Sequence, residues 1–272
     1  PPVRSSSSAS LPFFLARSLL YFAAFSGLAF ALSALSQRQD ETGDPALFRR
    51  MQRISGPGIV FFCLAITLAS TDWLMSLDAK WFSSLYGLYF LVCQGLSALA
   101  FITLVAVWLS RRAPMDRLLE PRYFHDYGKL LLAFVMIWAY FGFSQFLIIW
   151  SGNMPEEAEF YHRRLHGGWQ ALSLAVVLLH FVLPFALLLS RDLKRSARLL
   201  GGIAILVLAA RWLDLYWQVG PSLYPQGATL HWLDLAATLA VGGIWCGLFF
   251  HELGKRTLIP VQDPFLLEAI EL

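Results

Sequence analysis

The stretch Ser84–Ser110, SLYGLYFLVCQGLSALAFITLVAVWLS, runs for 27 residues without one Asp, Glu, Lys or Arg. About 20 mainly apolar residues in a helix cross the hydrocarbon core of a bilayer, so this segment alone reads as a spanning helix. Six more of the same kind surround it, at approximately Leu11–Ser36, Gly56–Ser76, Tyr127–Trp150, Gly167–Ser190, Leu199–Gly220 and Leu230–Leu253. Lipid offers no partner to a bare backbone N–H or C=O, and the short alternating strands of a barrel are absent, so the runs must be helices. The fold class is therefore an all-α integral membrane protein with about seven transmembrane helices.

Composition agrees. Charged residues make up 14% of the chain and hydrophobic ones 57%, against roughly a quarter charged in a soluble domain. A soluble enzyme is excluded, and the net charge of +3 gives no reason to expect a nucleic-acid partner. The three cysteines, Cys63, Cys93 and Cys246, all lie in apolar runs and form no CxxC or CxxCH pair. Iron–sulfur ligation, c-type haem attachment and structural zinc thus lack their motifs. Pro1–Ser10 has neither an initiator Met nor the charged start of a signal peptide, and the chain is expected to be the C-terminal portion of a longer one.

The linkers carry the charge. Gln37–Ser55 contains a Gly-Asp-Pro turn and then Ala46–Ile54, read as a short basic amphipathic helix. Leu77–Ser83 is a tight interfacial connection, and Pro184, inside the fifth run, should kink it or open its backbone bonds. Lys and Arg distribute unevenly. Fourteen fall on one side of the membrane, four (Arg4, Lys80, Arg163, Arg164) on the other, and Arg17, Lys129 and Arg211 within or beside spans. The basic side is expected to be cytoplasmic, which puts residue 1 outside and the C-terminus inside.

Ionisable groups inside a membrane need partners or a wet cavity and are candidates for function. Asp72, at the end of the second run, reads either as a proton-carrying or hydroxyl-binding group or as an interfacial acid paired with a cation. Arg211 and Asp214, three residues apart, share a helix face and pair with each other or join a relay. His231 and Asp234 repeat that spacing. Arg17, Asp72, Gln145, Arg211, Asp214 and Asp234 all fall in the outer half of the membrane, and their common depth predicts one connected polar cluster. Deeper in, Lys129 either snorkels to the interface or extends a proton path, and His180 stands near mid-span where an imidazole can relay protons. Only His180 lies centrally, which argues against a bis-His haem.

Several segments resemble a known family: Thr71–Gly87 with its Asp-Trp-Leu-Met-Ser-Leu core, His125–Leu131, Phe134–Tyr140, Phe143–Glu157, Gly167–Trp169, His180–Phe185 and Trp212–Trp217. Together they are similar to the F subunit of bacterial alternative complex III, within the NrfD/polysulfide-reductase-C-like membrane proteins. The resemblance implies a bundle of about ten spans of which this chain would hold the last seven. Residues 84–220 would form a four-helix bundle, preceded by 1–55 (first span and basic linker) and 56–83 (second span and interfacial turn), and followed by 221–272 (last span and tail). It also implies a bacterial inner-membrane complex that oxidises quinol, with iron–sulfur and c-haem subunits and further membrane subunits as partners, delivering electrons to cytochrome c or a terminal oxidase.

Three functions stay open. In the first, the chain is a non-redox subunit without catalytic residues, metal or bound cofactor, and Asp72, Asp214, Asp234, Arg17, Arg211, Gln145, His180 and Lys129 form a proton path. In the second, it binds a quinone through Asp72, His180, Trp73 and Tyr140. In the third, it is purely structural. A transporter reading is weak, because no internal repeat is visible.

Overall fold

A computed structural model describes residues 11–78, 81–259 and 262; Arg4, Lys80 and most of the polar tail counted above lie outside the described residues. Every element among these residues is helical. In chain order they are α1 (Leu11–Thr42), α2 (Pro45–Trp73), a 3-10 turn (Met75–Leu77), α3 (Tyr86–Leu109), α4 (Met115–Leu118), α5 (Pro121–Gly152), α6 (Pro155–Arg164), α7 (Trp169–Val176), a π segment (Val177–Val182), α8 (Leu183–Leu189), α9 (Arg191–Arg195), α10 (Ala197–Leu223) and α11 (Trp232–Leu253). Seven helices are long and apolar enough to cross a membrane, with α7, the π segment and α8 forming the fifth. The chain is an all-α membrane protein.

Successive spans run up and down, so the linkers gather at two ends. Residues 43–44, 110–120 and 190–196 lie at one end, the basic end. Residues 74–78, 81–85, 153–168 and 224–231 lie at the opposite end. α3, α5, the fifth span and α10 pack on one another, and their buried side chains form one core that includes Leu96, Leu131, Val135, Leu188, Leu200 and Val207. α1 and α2 pair separately around Tyr21, Ala65 and Ala69, and α2 leans on α3. α11 has no buried residue; it touches α3 through Trp245 and Phe249 on Phe101, and Phe250 on Trp108.

One local expectation needs correction. The basic segment Ala46–Ile54 is not a separate helix but the first turns of α2, which continues through Pro57. Asp44 caps it by accepting from the Ala46 N–H at 2.8 Å. Pro57 removes only one N–H donor from the ladder, too little to end a helix anchored on both sides. The polar linker after α5 contains a helix, α6. Pro155 occupies its first turn with Glu156 and Glu157, and His162, Arg163 and Arg164 fill its last, an arrangement that suits the helix dipole.

Pro184 opens the backbone as expected. It cannot donate to the carbonyl four residues back. The turn before it widens into the π segment, where Leu183 N–H reaches Leu178 O five residues away. That extra residue in the turn carries His180 into the core, where it is fully buried.

Close helix approaches depend on glycine. A Cβ at Gly87 would stand 2.3 Å from the Thr67 methyl of α2, and one at Gly220 2.3 Å from the Trp169 ring of α7. Gly220→Val should therefore destabilise the bundle by about 1–3 kcal/mol, the usual cost of overpacking. Gly202→Ala, at a position with open space around it, should not. Thermal unfolding of the two variants in detergent checks this, and equal midpoints would contradict it.

Candidate functional site

α10 presents Arg211, Asp214 and Gln218 on one face, at i, i+3 and i+7, and α3 presents Tyr86, Tyr89 and Cys93 at the same spacing. The two helices are antiparallel, so the sets meet in register. The Tyr86 hydroxyl donates to Gln218 Oε1 at 2.8 Å and the Tyr89 hydroxyl to Asp214 Oδ1 at 3.0 Å. Gln218 Nε2 donates back to Asp214 Oδ1 at 3.1 Å. From α5, Trp138 Nε1 donates to Asp214 Oδ2 at 3.3 Å. Arg211 forms an ion pair with the same oxygen. Asp214 is fully buried and Arg211 nearly so. A buried carboxylate is tolerable only when paired and hydrogen-bonded, and here four residues from three spans do both.

His180 completes the cluster. Its Nδ1 lies 3.9 Å from Asp214 Oδ2, beyond a direct hydrogen bond, and its ring packs on Trp138 with centroids 4.3 Å apart. Both ring nitrogens are buried without a hydrogen-bond partner, as is Arg211 Nη2.

Beside Asp214 opens a cavity of about 700 Å³, lined mostly by apolar and aromatic side chains. Asp214, Gln218 and Gln145 supply polar wall, together with the hydroxyls of Tyr86, Tyr89 and Tyr161. Burial pushes the Tyr161 phenol up to about 12, against the opposing effect of its hydrogen bond with the Gln145 side chain. α6 covers the end of the cavity and is held by Arg164. Its Nε donates to Trp217 O at 3.1 Å and its Nη2 to Gln218 O at 2.7 Å, while its plane lies 3.4 Å from the Phe160 ring centroid. The first of these bonds has a covalent cause: Pro221 has no N–H to offer the Trp217 carbonyl four residues earlier, and the guanidinium takes the vacant acceptor.

The six polar groups of the outer half do not share one set of contacts. Arg211 and Asp214 meet at the centre, with Gln145 on the same cavity. Asp72 instead pairs with Arg17 at 3.0 Å and accepts from the Tyr21 hydroxyl at 2.8 Å, all between α1 and α2. Asp234 caps α11: it accepts from the His231 backbone N–H at 3.0 Å in a capping box. Lys129 pairs with Asp126 at 2.9 Å, both more than half exposed. Of the quinone set, Trp73 donates to Ser18 Oγ at 3.0 Å beside Asp72, whereas Tyr140 lines the cavity and His180 faces Asp214.

Tyr86, Tyr89, Trp138 and Gln218 were not singled out from the sequence. The signal was present in the matching 3-and-7 spacing of the two helices. No group of three or more His, Cys, Asp or Glu among the described residues could hold a metal.

Asp214→Leu strands Arg211, Tyr89 and Trp138 without their acceptor and should cost about 3–5 kcal/mol, whereas Arg211→Met with Asp214→Leu should recover much of that loss. Denaturant unfolding in mixed micelles measures both, and a double variant no more stable than the single one would refute the pairing. No family model matches the chain, and no curated protein matches it.

Proposed function

We propose that the chain is a non-redox membrane subunit of a quinol-oxidising respiratory complex of the alternative complex III kind, with Asp214 as the group through which protons pass. One observation carries the reading: a fully buried carboxylate held by Arg211, Tyr89, Trp138 and Gln218, with the unpartnered His180 ring 3.9 Å away. Further support comes from where the resembling segments converge. Trp138, Gln145, His180 and Asp214 belong to four of them, and all four residues border the cavity or the cluster beneath it.

In this reading a proton reaches the Asp214 carboxylate from the cavity side and loosens its hold on Arg211. His180 takes it toward the basic end through a ring nitrogen that no other group occupies. Asp72 and Asp234 stand outside the relay, one as the counter-ion of Arg17 and the other as a helix cap. Iron–sulfur and c-haem partners would carry the electrons, and any cytochrome c or oxidase would be met through them. The basic end, with 14 Lys and Arg against four, faces the cytoplasm of a bacterial inner membrane.

Two measurements test this. In the assembled complex, Asp214→Asn should lower proton release per quinol sharply, while Asp72→Asn and Asp234→Asn leave it unchanged; full release from the Asp214→Asn complex would end the relay. For orientation, a cysteine at Gln226 should react with an impermeant thiol reagent from the periplasmic side and one at Arg112 only after the membrane is opened. The reverse pattern would invert the topology.

A further inference from the structure

The short helix α9 joins the fifth span to α10 and packs on α5, α8 and α10. Leu189 stands just before it and Leu199 just after, both exposed on the apolar perimeter, so α9 lies where hydrocarbon gives way to the headgroup layer. Arg191, Lys194 and Arg195 on α9 and Arg198 at the start of α10 are matched by a single acid in the same stretch, Asp192. Lys194 differs from these arginines in how it is held. It is 8% exposed, and its stem lies across Gly128 of α5, where a Cβ would stand 2.6 Å from Lys194 Cγ and 2.9 Å from Cδ. A side chain at position 128 would occupy the space that the stem fills. Charge that merely orients a span needs no such bed. Among the described residues the Lys194 ammonium has neither an ion-pair nor a hydrogen-bond partner, and it is not sealed from the surface.

Its surroundings are positive. Arg191 lies three residues earlier, on the same face of α9. On α5, His125 lies one turn from Gly128 on the same face, and the charges of Lys129, Lys194 and Arg191 all fall on its ring. The nearby acids are engaged or turned away. Asp126 pairs with Lys129 at 2.9 Å and Glu120 with Arg122 at 3.3 Å. Asp192, two residues before Lys194, is exposed and projects from another side of α9. Like charges gathered in this way repel one another, and the bedded stem keeps Lys194 from swinging out into water. An anion lodged between α9 and α5 would relieve that repulsion. α5 and α10 both begin at this end and turn the positive ends of their dipoles toward it.

We propose that Lys194, with Arg191 and His125 beside it, binds a phosphate oxyanion at the basic end, the headgroup phosphate of an anionic phospholipid such as phosphatidylglycerol. Basic pockets between spans take such headgroups. The ammonium meets the phosphate at the level of the interface, and the acyl chains run into the bilayer past the exposed Leu189 and Leu199. A free phosphate shares the oxyanion chemistry but brings nothing to cover those leucines. The inference does not rest on the proton reading, which needs no occupant at this end.

The test uses the full chain in a neutral detergent. Dioctanoyl-phosphatidylglycerol is the probe, dioctanoyl-phosphatidylcholine its zwitterionic counterpart, and inorganic phosphate the free oxyanion. The chain has four lysines, Lys80, Lys129, Lys194 and Lys255, so reductive methylation read by peptide mass spectrometry follows each one separately. Phosphatidylglycerol should slow the methylation of Lys194 saturably, with little change at the exposed Lys129 and Lys255. Phosphatidylcholine and inorganic phosphate at the same concentration should leave Lys194 as it was. Phosphatidylglycerol should also raise the unfolding temperature saturably. Lys194→Met keeps an apolar stem and removes the charge, and it should weaken that binding about tenfold, the worth of one hydrogen bond to a charged group; Lys129→Met should not. Equal slowing at Lys129, Lys194 and Lys255, or an equal response to the two lipids, overturns the proposal. Protection by inorganic phosphate as strong as that by phosphatidylglycerol overturns the lipid as the source. The methylation arm uses the unaltered chain and decides the matter even if Lys194→Met does not fold. Neither readout involves quinol turnover or proton release, so a failed proton relay leaves this outcome untouched.

Discussion

The charge pair between Arg211 and Asp214 is the constraint around which the bundle is arranged. Two opposite charges inside hydrocarbon-facing helices are worth little unless every remaining lone pair finds a donor. Tyr89, Trp138 and Gln218 supply those donors, and supplying them fixes the register of α10 on α3 and the rotation of α5. A one-residue shift of either helix would move these partners off the shared face. In lipid, apolar burial does not pull helices together as it does in water, so polar matching of this kind carries more of the task of specifying one arrangement.

The cavity follows from the same frame. α8 and the π segment hold the fifth span against α5 near its basic end, and the widened turn before Pro184 turns His180 inward. Toward the other end the helices separate and the space is walled with rings. An opening of this size would be a defect in a soluble core. Here four tyrosines, a serine, two amides and a carboxylate share the wall of an otherwise apolar hollow.

The seven spans were legible because crossing a bilayer demands length and apolarity, and both are visible residue by residue. Pro184 was legible for a covalent reason. The common depth of Arg17, Asp72, Gln145, Arg211, Asp214 and Asp234 could also be read, since position along a spanning helix gives depth. Which way each side chain turns could not. Azimuth depends on which helices are neighbours, and so Asp72 met Arg17 on α1 while Asp214 met Tyr89 on α3. Tyr86 and Tyr89 passed unnoticed because a tyrosine near a span end ordinarily reads as an interfacial anchor. Asp234 looked functional for its place in an apolar run, and its capping box with His231 needed only the three-residue spacing to be recognised as a helix start.

Arg164 has a mechanical consequence. Its bonds to Trp217 O and Gln218 O fasten the roof segment to the same helix that carries Asp214, about one turn away. The roof and the buried acid are thus bolted to a single rod. Any tilt that lifts α6 from the hollow drags the carboxylate with it, or else tears the guanidinium from its acceptors. Movement of the roof and movement of the buried acid are geared together, and a lone proline at 221, by freeing one carbonyl, provides the tooth on which that gear engages.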